Sequence, residues 1–175
     1  MVTFEYARPL ALLTPAPPPA RVSANRDASQ TRGQASSTLR QAIDAHGYVL
    51  LYDGVCGLCN RFVQWVLQHD RHGTLRFATL QGPLGQEAVR ALPELAEVDS
   101  VVLLYRDGAW VRSTAALEVA RYVGGVWTLA LAGYLVPRAW RDAAYDWMAR
   151  RRYRMFGRFD ACPIPSPETR QRFLD

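Results

Sequence analysis

The chain has 175 residues, of which 49% are hydrophobic, and a formal net charge of +5 at pH 7. This length suits one domain with appendages, and the apolar content is sufficient for a core. The mild basic bias is too weak to indicate a nucleic-acid-binding protein, so we expect no nucleic-acid partner. Three cysteines are an odd number and too few for a disulfide-stapled secreted scaffold.

The first 46 residues differ in composition from the rest, being rich in Pro, Ser, Ala and Arg. We predict a disordered leader over residues 1–46, because such a segment buries too little apolar surface to offset its ordering entropy. Residues 37–45 are a candidate short helix within it. An organellar transit peptide is the alternative, since the segment is Arg- and Ser-rich and poor in acids. The folded domain is predicted to begin at Gly47.

The first half of the predicted domain alternates strands and helices. The continuous apolar run at residues 48–52 predicts a strand buried on both faces. Residues 56–72 carry apolar side chains at helical spacing and predict an amphipathic helix that begins at or just after Cys56. Residues 75–80 predict a second strand, parallel to the first because only one helix separates them. Residues 87–92 predict a further helix.

The second half of the predicted sheet is a hairpin. Residues 101–105 predict a buried strand, and an Asp-Gly pair after it predicts a tight turn into an antiparallel strand over 110–112. Residues 114–123 predict a helix that ends at a pair of glycines. This order of elements predicts a thioredoxin-like α/β fold over residues 47–125, with a four-stranded mixed sheet flanked by helices.

Residues 126–175 are predicted to form a helical extension and tail packed on this core. The apolar stretch at 126–136 is too short to span a bilayer, and residues 138–156 predict a long helix. Its end is crowded with arginines: Arg150, Arg151, Arg152, Arg154 and Arg158. In one interpretation they form a site for an anionic thiol substrate or for anionic lipid. In the other they form a solvated face with local ion pairs, and this is the usual role of a run of charges. A peripheral membrane contact through the helix therefore stays open.

The motif that carries chemistry is YDGVCGLC, residues 52–59, where the first strand meets the next helix. Cys56 lies at the predicted helix N-terminus, where unpaired N–H groups and the helix dipole stabilise a thiolate. Thiolate is the attacking species in disulfide exchange. We therefore predict that Cys56 is an exposed nucleophile and that Cys59, one turn on, is the resolving thiol. Gly57 is expected to allow close approach by a partner backbone.

Asp53 admits two interpretations. Its carboxylate either accepts hydrogen bonds from the following loop and shapes the turn together with Gly54, or takes the proton of Cys59 when a mixed disulfide is resolved. An Asp-Gly pair at a strand end favours the first interpretation. We also expect one buried arginine to fold back onto this loop and pair with Asp53. Among the arginines at the end of the 138–156 helix, we choose Arg152.

A metal site is the main alternative function. The three cysteines and one of two histidines would make a Cys₃His zinc site: Cys56, Cys59, Cys162, and His69 or His72. The histidines lie about 15 Å from Cys59 along the predicted helix, and a second paired motif is lacking, so we predict no metal and no other cofactor. Cys162 is otherwise a packed free thiol or a third redox thiol. A non-catalytic binding module with the same fold is a further alternative.

The Asp-Gly-x-Cys-x-x-Cys pattern at the end of a first strand resembles the motif of the DCC family of thiol-disulfide oxidoreductases. Later segments are similar to that family's later blocks: STAAL at 113–117, PRAWRDAAY at 137–145, RYRMFGR at 152–158 and DACP at 160–163. The resemblance covers residues 48–174. It implies a thioredoxin-like fold and dithiol redox activity toward a protein or a low-molecular-weight thiol or disulfide.

One departure from ordinary thioredoxins concerns the segment before the third strand. Those proteins carry a cis-proline there, which helps to hold a partner chain. Residues 97–100 contain no proline, so Ser100 or Asp99 is expected in that place. A reactive cysteine pair without an evident signal peptide predicts a reducing compartment, which is the cytoplasm.

Overall fold

The computed structural model describes residues 37–98, 100–158 and 167–175 of the chain. In these ranges the chain forms a four-stranded mixed sheet with flanking helices and a long C-terminal helix, which is the predicted α/β fold. Most of the predicted leader, Asp99 and Cys162 lie outside the described residues. The hypotheses for Cys162 therefore stay as they were.

The sheet has the strand order β2-β1-β3-β4. Its strands are β1 Val49–Tyr52, β2 Arg76–Thr79, β3 Val102–Tyr105 and β4 Gly108–Val111. β2 pairs with β1 in parallel, whereas β3 is antiparallel to both β1 and β4. All four predicted strands and their directions are thus confirmed. β1 is buried along its whole length, as a continuous apolar run requires.

Helices cover both faces of the sheet. They are α1 Ser37–His46, α2 Gly57–His69, α3 Pro83–Ala91, α4 Arg112–Val123, α5 Arg138–Phe156 and α6 Pro167–Arg170. Successive strand residues point to opposite faces. Accordingly, Leu50 packs with α2 and α4, whereas Leu51 packs with α1 and α3. α5 packs against α2 and α4, on the same side as the cysteine motif.

The first helix lies inside the range predicted as a leader. α1 buries Leu39 in the core, and the Leu39 N–H donates to Glu87 Oε1 of α3 at 2.9 Å. Ile43, four residues on, packs against the same cluster. Leu39 and Ile43 share one helical face, so this segment has enough apolar surface to dock. In the described residues α1 is therefore docked on the core, although it lies before Gly47.

The segment between α4 and α5 is a 3₁₀ helix, Gly125–Leu135. Beyond α6 the chain returns to the sheet: the Phe77 N–H donates to the Arg172 carbonyl at 2.8 Å, and the Leu174 N–H donates to the Phe77 carbonyl at 2.9 Å. These bonds cover the open edge of β2. Within the ranges that the structure describes, the helices are too short or too polar to cross a bilayer.

Candidate active site

Cys56 is the N-cap residue of α2, as predicted. Its Sγ accepts a hydrogen bond from the Cys59 N–H, with an N···S distance of 3.4 Å. Ser, Thr, Asp and Asn side chains commonly occupy this position, where an acceptor satisfies an unpaired amide of the first helical turn. Both cysteines are free thiols. The fold therefore holds the Cys56 sulfur where negative charge is stabilised.

The pKa values of the two thiols are shifted in opposite directions. A hydrogen bond from the Cys59 side chain, helped by the backbone of Cys59 and by the Arg152 guanidinium, lowers the pKa of Cys56 to about 6, although burial acts the other way. The pKa of Cys59 is raised, because its thiol donates to Cys56, because it is buried and because the Cys56 charge lies close. Both shifts favour a thiolate on Cys56 that accepts a hydrogen bond from the Cys59 thiol.

The predicted exposure of Cys56 is wrong. Cys56 is 0% exposed and Cys59 is 5% exposed. Position at a helix N-terminus leaves amide groups unpaired but does not decide whether another part of the chain lies over them. A substrate sulfur therefore has no direct path to Cys56 in this conformation.

Residues 156–158, which we call the covering segment, lie over the motif. Arg158 pairs with Cys56 as an antiparallel β-bridge, and the Gly57 N–H donates to the Gly157 carbonyl at 3.2 Å. A Cβ atom added to Gly57 would lie 2.1 Å from the Phe156 carbonyl oxygen. The close approach of a backbone to Gly57 thus occurs, but in this structure it is made by the chain itself and not by a partner.

The predicted pairing of Asp53 with Arg152 is present. Arg152 Nη2 lies 3.2 Å from Asp53 Oδ2, and both side chains are buried. Arg152 also donates to the Tyr153 hydroxyl at 2.9 Å, and that hydroxyl donates to Asp53. Removal of one partner of a buried charge pair strongly destabilises a protein, because the other charge stays buried without its counter-charge. The pair therefore fastens the end of α5 to the loop that precedes Cys56.

Asp53 also shapes that loop, which is the first of its two predicted roles. Its Oδ1 accepts the Val55 N–H at 3.2 Å and the Gln81 amide at 3.0 Å. The backbone of Asp53 reaches Cys59 and slightly opposes the rise in the pKa of that thiol. The second role, as acceptor of the Cys59 proton, stays a prediction.

Sequence reasoning missed two amides that hold the loop. Asn60 is buried, and its Nδ2 donates to the carbonyls of Gly54 at 2.8 Å and Cys56 at 3.0 Å. Gln81 Oε1 accepts the Gly54 N–H at 3.3 Å. Gly54 is thus fixed from both sides. The sequence signal for Asn60 was its place four residues after Cys56, on the same face of α2.

Two tyrosines of α5 were missed as well. Tyr153 joins the Asp53 network described above, and Tyr145 is partly buried against the core beside the cysteines. Burial raises the pKa of Tyr145, while a hydrogen bond with Ser100 lowers it. Ser100 is itself buried. In this structure it meets α5, so its contact with a partner chain stays a prediction.

The described residues contain no cluster of three or more His, Cys, Asp or Glu side chains that could hold a metal ion. The two histidines of the zinc hypothesis make other contacts. The His69 ring bonds the Trp65 carbonyl at 2.8 Å, and the His72 ring lies 5.5 Å from that of Tyr122. Cys162, the remaining member of that hypothesis, falls outside the described ranges.

A cleft of about 310 Å³ adjoins Asp53 and is lined also by Gln81, Val98 and Tyr153. Its volume is at the lower end of the range for small-molecule sites. A larger cavity of about 510 Å³ lies between α1 and the β3–β4 hairpin, and no cysteine lines it. The smaller cleft adjoins the Asp53 network but, like the larger cavity, is not lined by Cys56 or Cys59.

In comparisons with known proteins, the family match covers the part of the chain that contains this motif. Residues 50–158, more than half of the chain, match the family model of the DCC1-like thiol-disulfide oxidoreductases. The uncharacterized protein YuxK of Bacillus subtilis is 39% identical over 128 residues, which cover 72% of this chain and 93% of that protein. A DCC family protein of Arabidopsis thaliana, designated chloroplastic, is 36% identical over 118 residues, which cover 66% of this chain and 69% of that protein. No solved structure matches the chain. The chain belongs to the DCC1-like thiol-disulfide oxidoreductase family.

Proposed function

We propose that this protein catalyses thiol–disulfide exchange, with Cys56 as the nucleophile and Cys59 as the resolving thiol. The observation that carries the proposal is the Cys56 sulfur at the N-cap of α2, where it accepts the Cys59 N–H. A thiolate held there at neutral pH is the reactive species for disulfide exchange, and a second thiol lies one turn away.

The proposed reaction begins when the Cys56 thiolate attacks one sulfur of a substrate disulfide. A Cys56–substrate disulfide forms, the substrate S–S bond breaks, and the second substrate sulfur leaves as a thiolate that is protonated by solvent. Cys59 then attacks the Cys56 sulfur, and its proton ends on the released first substrate sulfur. Two electrons have passed to the substrate, and a Cys56–Cys59 disulfide remains. An external dithiol restores the reduced protein, and the reaction needs no cofactor.

The covering segment must leave Cys56 before a substrate can enter. Two features make this movement feasible: the contact rests on backbone groups of three residues, and Gly157 has a φ of 78°, which glycine adopts readily. An entering peptide would take over the backbone pairing that Arg158 now makes with Cys56. A protein or a small disulfide is the proposed substrate. A reducing compartment, the cytoplasm, is the proposed site of action, since the dithiol must be kept reduced.

A redox-inactive binding module is the second candidate function. The observation that favours it is the complete burial of Cys56 beneath the covering segment. In that case the family fold would be kept, the two thiols would serve as part of the core, and the covering segment would stay in place.

The experiment uses the full chain with Cys162→Ser, so that only the two motif cysteines remain. This protein is mixed with an oxidised peptide disulfide and dithiothreitol, and peptide reduction is followed. We expect catalysis that Cys56→Ser abolishes, whereas Cys59→Ser traps the peptide on Cys56 as an adduct seen by mass spectrometry. If Cys56→Ser traps the peptide and Cys59→Ser does not, the roles are exchanged. If no variant forms an adduct and no reduction occurs, the binding module is the correct function.

A further inference from the structure

The 3₁₀ helix Gly125–Leu135 presents apolar side chains to solvent along one line. A 3₁₀ helix has three residues per turn, so every third residue lies on the same face. Val126, Leu129, Ala132 and Leu135 are spaced in this way, and all four are exposed, Leu129 by 74% and Leu135 by 87%. We call these four residues the apolar ridge. At about 2 Å per residue it is about 18 Å long.

The opposite side of this helix is fastened to the core. The Trp127 ring lies 4.8 Å from that of Trp65 and 5.0 Å from that of His69, both on α2. The Tyr134 hydroxyl donates to Glu118 of α4. These contacts hold a 3₁₀ helix of unusual length, and they leave the ridge as its outer edge. The ridge is thus a fixed surface feature.

The start of α5 continues the exposed apolar surface. The Arg141 guanidinium lies 4.9 Å from the Tyr134 ring centroid, which ties the first turns of α5 to the 3₁₀ helix. Val136 and Trp140 at this junction, and Trp147 two turns further on, are all exposed. Tryptophan is enriched where a protein meets the headgroup region of a bilayer. Exposed tryptophans beside an apolar edge are typical of interfacial membrane segments.

Charges around the ridge are arranged with arginines outermost. The 3₁₀ helix itself has no charged residue. In the pair beside it, the Arg121 side chain is 32% exposed and its partner Glu118 is 8% exposed. In the pair at the start of α5, Arg138 is 42% exposed and Asp142 is 16% exposed. In both pairs the acid is thus less exposed than the arginine. Arg121, Arg138 and the exposed Arg151, whose guanidinium lies 4.5 Å from the Trp147 ring centroid, form what we call the arginine rim.

We propose that the apolar ridge and its arginine rim dock on a lipid bilayer that carries anionic headgroups. The ridge would enter the boundary between headgroups and acyl chains, and the guanidinium groups would contact lipid phosphates. A second copy of this surface is a poorer occupant, because a symmetric contact would bring two positive rims together.

The test is flotation of the full chain with vesicles of phosphatidylcholine alone and with vesicles that also contain phosphatidylglycerol. We expect binding to the anionic vesicles, and roughly 30-fold weaker binding by the R138Q/R151Q double variant, because each arginine near such a surface contributes about a factor of five. The matched control is R40Q/R90Q, which removes the same charge from α1 and α3 on the other face of the sheet. It should bind like the wild type, apart from a small long-range effect.

A second variant tests the ridge. Leu129→Gln with Leu135→Gln keeps the charge and alters only exposed positions, so circular dichroism should be unchanged while binding falls by about tenfold or more. Equal binding of the wild type to both kinds of vesicle, or loss of binding by the R40Q/R90Q control as large as by R138Q/R151Q, would overturn the proposal. So would a dimer in light scattering that the two Leu→Gln changes dissociate, since the ridge would then cover a second copy.

Discussion

Two parts of the C-terminal extension meet the rest of the molecule in opposite ways. At the end of α5, which we call the covered end, the charged side chain of Arg152 is buried against Asp53, and residues 156–158 cover Cys56. At the start of the extension, which we call the exposed end, the apolar ridge faces solvent. Burial of charge and exposure of apolar side chains both reverse the usual pattern. One extension thus covers the dithiol at one place and presents an apolar surface at another.

The largest effect is expected at the covered end. Cys56→Ser removes the only proposed nucleophile, so reduction of an oxidised peptide by the protein and dithiothreitol should fall to the uncatalysed rate. The control Arg90→Gln, on α3 at the other face of the sheet, should keep wild-type turnover. A Cys56→Ser protein with more than a trace of turnover contradicts the assignment.

The buried ion pair should be the next most sensitive point. Asp53→Asn leaves the Arg152 guanidinium buried without its counter-charge, so the free energy of unfolding should fall by about 3–5 kcal/mol. Urea denaturation measures the change. The matched control is Asp44→Asn, whose pair with Arg106 has side chains 57% and 76% exposed; its loss should cost less than about 1 kcal/mol. Equal losses would mean that the buried pair contributes no more than a surface pair.

Steric displacement of the covering segment should have a moderate effect. Gly57→Ala places a methyl group against the Phe156 carbonyl, so the covering segment must shift, at a cost of about 1–3 kcal/mol. Cys56 should then react faster with maleimide at fixed pH. In the control Gly133→Ala, the new methyl meets only the end of the Leu117 side chain, at 3.3 Å, and the maleimide rate should not change. An unchanged rate in Gly57→Ala would show that these residues do not limit access.

The smallest effect is expected at the exposed end. Leu135→Ala removes an apolar side chain that is mostly in solvent, so the free energy of unfolding should stay within about 0.5 kcal/mol of the wild type. By contrast, Leu51→Ala in the sheet should cost about 2–5 kcal/mol. A large loss in Leu135→Ala would show that the ridge packs on something in solution.

Local sequence patterns predicted most of the fold. The apolar runs at β1 and β3 and the helical spacing along α2 are strong signals, because burial on known faces dictates them. α3 begins at Pro83 and not at 87, since proline and glycine at its start carry no periodic signal but suit a first turn. The docking of α1 was also missed, because two apolar residues in a polar segment give a weak pattern.

The site could be predicted only in part. Cys56, Cys59 and Asp53 are neighbours in sequence, and a strand–turn–helix junction fixes their arrangement locally. The covering segment comes from a hundred residues further along the chain, and no local pattern reports such a contact. Tyr145 and Arg152 lie two turns apart on α5 and share its inner face. That face is polar and aromatic, so hydrophobic periodicity did not reveal it.

The most direct test of the central claim is a pH titration of thiolate absorbance in the ultraviolet, on the reduced Cys162→Ser protein. This measurement needs no reagent to reach the covered sulfur, and the same protein with Cys56→Ser supplies the baseline. The account predicts that one thiolate forms with a midpoint near the Cys56 pKa of about 6, while Cys59 stays protonated beyond the ordinary thiol range. A first midpoint near 9, the ordinary thiol value, or a first thiolate that survives Cys56→Ser would contradict it.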